Sequence, residues 1–101
     1  MGVLIPDWPL PEGVEACITT REHGLSATPF DSFNLAQHVG DDSAQVLLNR
    51  KALIDRFDQL KAIQWLDQVH GIECVEAGHV TQSADASITS ERQLACAVMT
   101  A

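Results

Sequence analysis

A mixed fold of one helix and several short strands, an α/β or α+β pattern assigned here to α+β, follows from three features of this sequence. One stretch carries apolar residues at helical spacing, several short stretches have strand character, and a long polar segment with neither period lies between the first strand and the helix.

Residues 8–13, WPLPEG, hold two prolines and a glycine and predict an ordered entry loop. Residues 14–20, VEACITT, place Val14, Ala16 and Ile18 at period two, which predicts a strand. Residues 21–43 are polar, with glycines, a proline and several Ser, Asp and Asn residues. Loops this long inside compact domains are uncommon and usually functional or disordered. Phe30, Phe33, Leu35 and Val39, spread through the segment, favour an ordered functional loop.

The helix follows. Asp42 is placed to cap it, with Gln45 three residues on in a variant of the capping box. Over residues 46–60, Val46, Leu53, Phe57 and Leu60 share one face, with Leu47 and Ile54 beside them. Lys51, Asp55, Asp58 and Gln59 take the opposite side. Arg50 breaks the pattern, one turn from both Val46 and Ile54 on the apolar side. An unpaired buried charge is costly. Arg50 therefore either reaches the edge or pairs with an acid, or it points inward to hold an anion such as a substrate phosphate.

Residues 62–66, 72–76 and 84–89 are further strand candidates. Residues 94–100, LACAVMT, are apolar almost throughout and predict a strand covered on both faces. At least one neighbour of that strand and part of its cover are expected from elsewhere, in the same or another chain.

At 101 residues, 46% of them hydrophobic, the chain is expected to form one domain or less with a core of its own. Fourteen acids against six Lys and Arg give a formal charge of −8. That sign argues against nucleic acid and anionic membrane surfaces as partners. No apolar run approaches the roughly 20 residues of a membrane span, and the start lacks the basic region of a secretory signal. Three cysteines, Cys17, Cys74 and Cys96, are odd in number and form no CxxC, which suits a reducing compartment. A cytoplasmic location is expected.

Residues 63–73, IQWLDQVHGIE, run from apolar residues into Asp67, Gln68 and His70 at the expected end of a strand. His70 and Cys74 are four apart, but Gly71, Ile72 and Val75 favour extended chain. Four residues of strand span roughly 13 Å, too far for two ligands about 2.0 to 2.3 Å from one zinc. No HExxH or paired-cysteine motif is present. On its own pattern, His70 is either a loop histidine bonded to backbone or a ligand whose partners lie elsewhere.

Several ordered segments carry a resemblance to a known family. TTREHGLS (19–26) looks like TTR-x-GG-[VL]-S, and PFDSFNLAQHVGDD (29–42) looks like PY-x-S-x-NL-x-x-HVGD. VLLNRKAL (46–53) carries V-x-x-NR, WLDQVHG (65–71) matches WL-x-QVHG, and ADASIT (84–89) and AVMTA (97–101) match the last two. The chain thereby resembles the YfiH-type polyphenol oxidase family, also described as metal-dependent purine nucleoside phosphorylases. One departure is His23, where the family usually has glycine.

The resemblance implies the N-terminal portion, residues 1–101, of a single YfiH-like catalytic domain, a layered α/β/β/α sandwich with mixed sheets. It implies a transition metal, usually zinc, held by a histidine of QVHG, here His70, with a cysteine of an ADC motif and a histidine of an HAG motif as the other ligands. The ADC motif would begin at Ala101. Asp67 and Gln68 are expected to orient the imidazole. The implied reaction is phosphorolysis of inosine and adenosine, with adenosine deamination and methylthioadenosine cleavage as related activities. Such chemistry needs an anion site for phosphate; Arg50 suits it, and Arg21 is a weaker candidate. Phenol oxidation with copper, and peptidoglycan precursor editing, are the rival activities within the family. His and Cys ligands suit copper as well as zinc. A third reading is an inactive fragment or a non-enzymatic module.

Overall fold

The computed structural model describes residues 2–100, so Ala101, the first position of the expected ADC motif, lies outside the described residues. The chain forms two units, Met1–Lys51 and Ala52–Ala101. Its elements are β1 (Val3–Leu4), β2 (Ile18–Thr19), α1 (Ser43–Asp55), β3 (Ala62–Gln64), β4 (Leu66–Asp67), β5 (Cys74–Glu76), β6 (Gln82–Ser83), β7 (Ala86–Ile88) and β8 (Leu94–Cys96). One helix with short paired strands is the α+β class that the sequence predicts.

In the first unit β1 pairs antiparallel with β2, Val3 opposite Thr19 and Leu4 opposite Ile18. The strand expected over residues 14–20 therefore shrinks to two residues. Its alternation does not mark a buried face, since Val14 and Ile18 are both about half exposed. Thr20 closes the ladder by donating its N–H to the Gly2 carbonyl at 2.9 Å.

The start of α1 agrees with its sequence. Asp42 Oδ1 accepts from the Ala44 N–H at 2.9 Å, satisfying one of the N–H groups that the first turn leaves unpaired. The end differs from expectation. Regular helix stops at Asp55, and Arg56, Phe57 and Leu60 each donate to the carbonyl three residues back. Phe57 and Leu60 lie half-buried in these tighter turns. The buried stripe also differs: Val46 is 0% exposed and Leu53 is buried, but Leu47 is 58% exposed. Asn49, three residues after Val46 and four before Leu53, is buried on that stripe.

The second unit contains three parallel two-stranded pairs, β3 with β8, β4 with β6, and β5 with β7. The expected strand over 62–66 is split at Trp65 because β3 and β4 pair with different partners. β1 and β6, two residues each, carry too little pattern to be read from sequence. Residues 94–100 need correction. Only Leu94–Cys96 is strand, Leu94 is buried, Cys96 is exposed, and Val98 is 61% exposed. Among the described residues β8 pairs with β3 alone, so one edge has no strand partner.

Gln64 holds this unit together from within. Its carboxamide is fully buried. Nε2 donates to the Trp65 and Val80 carbonyls at 2.6 and 2.8 Å, and Oε1 accepts from Gly78 N–H at 2.7 Å and Gln82 Nε2 at 2.8 Å. Burying an amide is tolerable only when its donors and acceptors are matched in this way. No helix among the described residues is long and apolar enough to cross a membrane.

Candidate functional site

The long polar loop of the first unit is tied down by α1. Asn49, 1% exposed, faces it. Its Oδ1 accepts from the Leu25 N–H at 2.9 Å, and Nδ2 donates to Asn34 O at 2.9 Å, Ser26 Oγ at 3.0 Å and Ser32 O at 3.3 Å. One side chain thus fastens both limbs of the loop to the helix. Arg50, the next residue, is half-buried and donates from Nε to the Leu35 carbonyl at 2.8 Å. A guanidinium has five N–H donors, and one of them here serves loop backbone.

Arg21 stands at the loop's entrance. Its Nε donates to the Asp31 carbonyl at 2.9 Å, and its guanidinium lies 3.8 Å from the Asp31 carboxylate with most of the side chain in solvent. Its own carbonyl accepts from Ser32 and Phe33 N–H groups at 2.7 and 2.8 Å. At His23 the backbone is left-handed, with φ of 64°. The histidine therefore adopts the conformation that a glycine would take with less cost. Gly24 allows no side chain, since a Cβ there would run into the Ser32 carbonyl and the Phe33 backbone.

Asp41 closes the loop at the helix start. Its carboxylate accepts from Ser26 Oγ, from Asn34 Nδ2 at 3.1 Å and from Asp42 N–H at 2.7 Å. These bonds, the Ser26 hydroxyl's first, hold its pKa below the usual 3.8, against an opposing push from desolvation. A folded value below the unfolded one means that the charged form stabilises the fold. That contribution is complete above pH 3.8 and is lost as pH falls through the lower folded value. Asp41→Asn should therefore be less stable than the parent at neutral pH, and urea midpoints of the two should converge as the solution is acidified below that range. A gap independent of pH would remove Asp41's charge from the account.

In the second unit, His70 sits on a turn after β4 with φ of 57°, its side chain exposed. The turn is fixed from the start of β7. Asp85 Oδ1 accepts from Val69 N–H at 3.0 Å and His70 N–H at 2.7 Å, and Oδ2 accepts from Gly71 N–H at 2.6 Å. The Gly71 bond leads in holding the Asp85 carboxyl below its ordinary value, partly offset by desolvation. Gln68 has a different partner from the one expected. Its side chain accepts from Met99 N–H at 2.7 Å and donates to Met99 O at 3.1 Å, so it joins the turn to the irregular chain after β8. Asp67 is exposed, and its carbonyl accepts from Ala84 N–H at 3.1 Å. Neither side chain is bonded to the imidazole. His23 and His79 pair loosely with Glu22 and Glu91 at the surface. Among the described residues, no group of three or more His, Cys, Asp or Glu is placed to hold a metal ion.

The structure therefore brings Arg21 and Arg50 to one loop in one unit, and places His70 on a pinned turn in the other. Asn49 and Asp85 were not singled out by the sequence. Asn49 had a signal, because a polar residue three after Val46 and four before Leu53 lies on the buried stripe. Asp85 lies in the ADASIT motif, but nothing in the sequence tied it to a turn 15 residues away.

The pattern of the family described as multi-copper polyphenol oxidoreductase laccase matches residues 15–101. The chain belongs to that family. Relatives include a purine nucleoside phosphorylase of Pseudomonas aeruginosa, 48% identical over 97% of this chain and 40% of that protein. Purine nucleoside phosphorylase YfiH of Escherichia coli is 40% identical over 98% of this chain and 42% of its own length. Among solved structures, a Neisseria meningitidis protein superposes over 100% of this chain and 42% of its own, with a TM-score of 0.89 at 39% identity. YlmD from Geobacillus stearothermophilus gives a TM-score of 0.81 at 28% identity, over 93% of this chain and 40% of its own. The family member described here thus spans about two-fifths of the length of the curated relatives it matches.

Proposed function

We propose that this chain is the N-terminal part of a metal-dependent purine nucleoside phosphorylase that cleaves inosine and adenosine, with adenosine deamination and methylthioadenosine cleavage as side activities. The reaction is suggested by relatives of that name that match nearly the whole chain. The observation that carries the site is His70, exposed on a turn held at three successive backbone N–H groups. An imidazole so presented suits zinc, and the remaining ligands would come from the rest of the polypeptide or a second chain. When bound, the metal would supply Lewis-acid polarisation of a substrate oxygen or activation of water.

Arg50 would hold the phosphate. Its Nε bond to Leu35 fixes the plane of the guanidinium, which suits paired hydrogen bonds to an oxyanion. Arg21, exposed and engaged with Asp31, is the weaker candidate. In the whole enzyme, Arg50→Lys should leave the fold intact and weaken phosphate use on the order of tenfold or more, since lysine keeps charge but loses the planar fork. Unchanged phosphate dependence with a lowered melting temperature would make Arg50 a loop anchor only.

A second reading is favoured by the family's description, an oxidation of phenols with copper. Divalent-metal affinity order favours Cu(II) over zinc at such ligands. Hypoxanthine release from inosine, measured with and without phosphate and against oxygen uptake with a phenol, separates the two. Phosphate-dependent release supports the phosphorylase; oxygen uptake alone supports the oxidase. Residues 1–101 expressed alone should self-associate and show no phosphorolysis with added zinc, given the uncovered β8 edge and exposed Val98. A monomeric, cooperatively folding and active protein of that length would contradict an incomplete site.

A further inference from the structure

We infer that Asp85 is a positioning residue for His70, its carboxylate setting the backbone turn from which the imidazole projects. The inference rests on the reading of His70 as a metal ligand.

Three consecutive N–H groups, from Val69, His70 and Gly71, converge on the two oxygens of Asp85 at 2.6 to 3.0 Å. Successive N–H groups around a left-handed residue form a concavity that attracts anions. In this protein the anion is supplied by its own chain, so the concavity is filled and its shape fixed. Positive φ is uncommon for a residue with a side chain, and at His70 the carboxylate offsets that cost. Charge-assisted bonds to backbone N–H are roughly twice as strong as neutral ones.

Asp85 is itself anchored. Its own N–H and that of Ala86 both donate to the Glu73 carbonyl, at 3.1 and 3.2 Å. Chain on the far side of the turn is thereby bonded to the residue that caps it. Gln68, bonded twice to the Met99 backbone, fixes the near side. The carboxylate packs closely beside Gly71, where a Cβ would meet Oδ2 at 3.4 Å, an ordinary van der Waals contact. With both flanks held, His70 retains little freedom beyond its own side-chain torsions. A ligand preset in this way loses less entropy when a metal binds.

The test uses the whole protein with zinc. Asp85→Asn keeps the volume but turns an NH2 toward an N–H donor. Amide exchange at Val69, His70 and Gly71 should accelerate. The zinc dissociation constant should rise roughly 10- to 100-fold, the range typical for partners that orient ligands. For inosine, kcat should fall at unchanged KM. Asp85→Glu, which keeps the charge but carries the carboxylate one methylene away from its place against the three N–H groups, should act in the same direction with smaller size, and it decides the matter should Asp85→Asn not fold. His70→Ala is measured in parallel. Loss of zinc in His70→Ala, with wild-type zinc affinity and kcat in both other variants, would make Asp85 a mere cap and leave the ligand reading standing. Full zinc retention in His70→Ala would overturn the ligand reading and this inference with it.

Discussion

His70→Ala in the whole enzyme is expected to lose its bound metal and, with it, catalysis. The side chain is exposed and its turn is held through backbone N–H groups, so removing the imidazole leaves the Asp85 bonds in place. Folding should survive. Alanine also carries a Cβ, so the cost of the left-handed backbone changes little. A Lewis-acid contribution of several kcal/mol translates into a rate loss on the order of 10²- to 10³-fold. Elemental analysis and circular dichroism on the same sample check it: zinc gone and spectrum retained is the expected pair. Stoichiometric zinc in the variant would remove His70 from the ligand set.

Asn49→Ala should have the largest effect on stability. The substitution strips partners from the Leu25 N–H and the Asn34 carbonyl and leaves a gap beside Val46. Each buried polar group left unpaired costs roughly 1–3 kcal/mol. Solvent can reach part of this loop, so the expected loss is about 2–4 kcal/mol in denaturant titration. Asn49→Leu separates bonding from packing, since it restores volume without a donor or acceptor. It should remain destabilised, and phosphate use should weaken as well, because Arg50 is anchored on the same loop through Leu35. A neutral Asn49→Leu would reduce Asn49 to space filling.

Local signals and tertiary ones differ in how far a sequence exposes them. The Asp42 cap was legible because a cap acts within one turn of chain, and the start of α1 followed from it. The helix end was not, because the apolar spacing continues through Phe57 and Leu60 while the backbone tightens into turns. Strand reading failed at 94–100 through an assumption about cover: an apolar run reports what a strand can bury, and Cys96 and Val98 are exposed. Within the site, the sequence marked Arg50 as anomalous on its helix but could not tell that the Leu35 carbonyl would be among its partners. Gln68 was expected to serve the imidazole and instead joins Met99, a pairing set by how β8 runs beside β3. The partners of Asp85 were hidden for the same reason, since its three donors are assembled only when β5 and β7 pair.

The turn after β4 is proposed to deliver His70 to a catalytic metal. Diffraction from crystals of the whole zinc-loaded protein, collected on both sides of the zinc absorption edge, tests it most directly. An anomalous peak is expected about 2.0–2.1 Å from an imidazole nitrogen of His70, with the Asp85 carboxylate still bonded to the three N–H groups of its turn. A zinc peak held entirely by other side chains, with His70 turned to solvent, would contradict it.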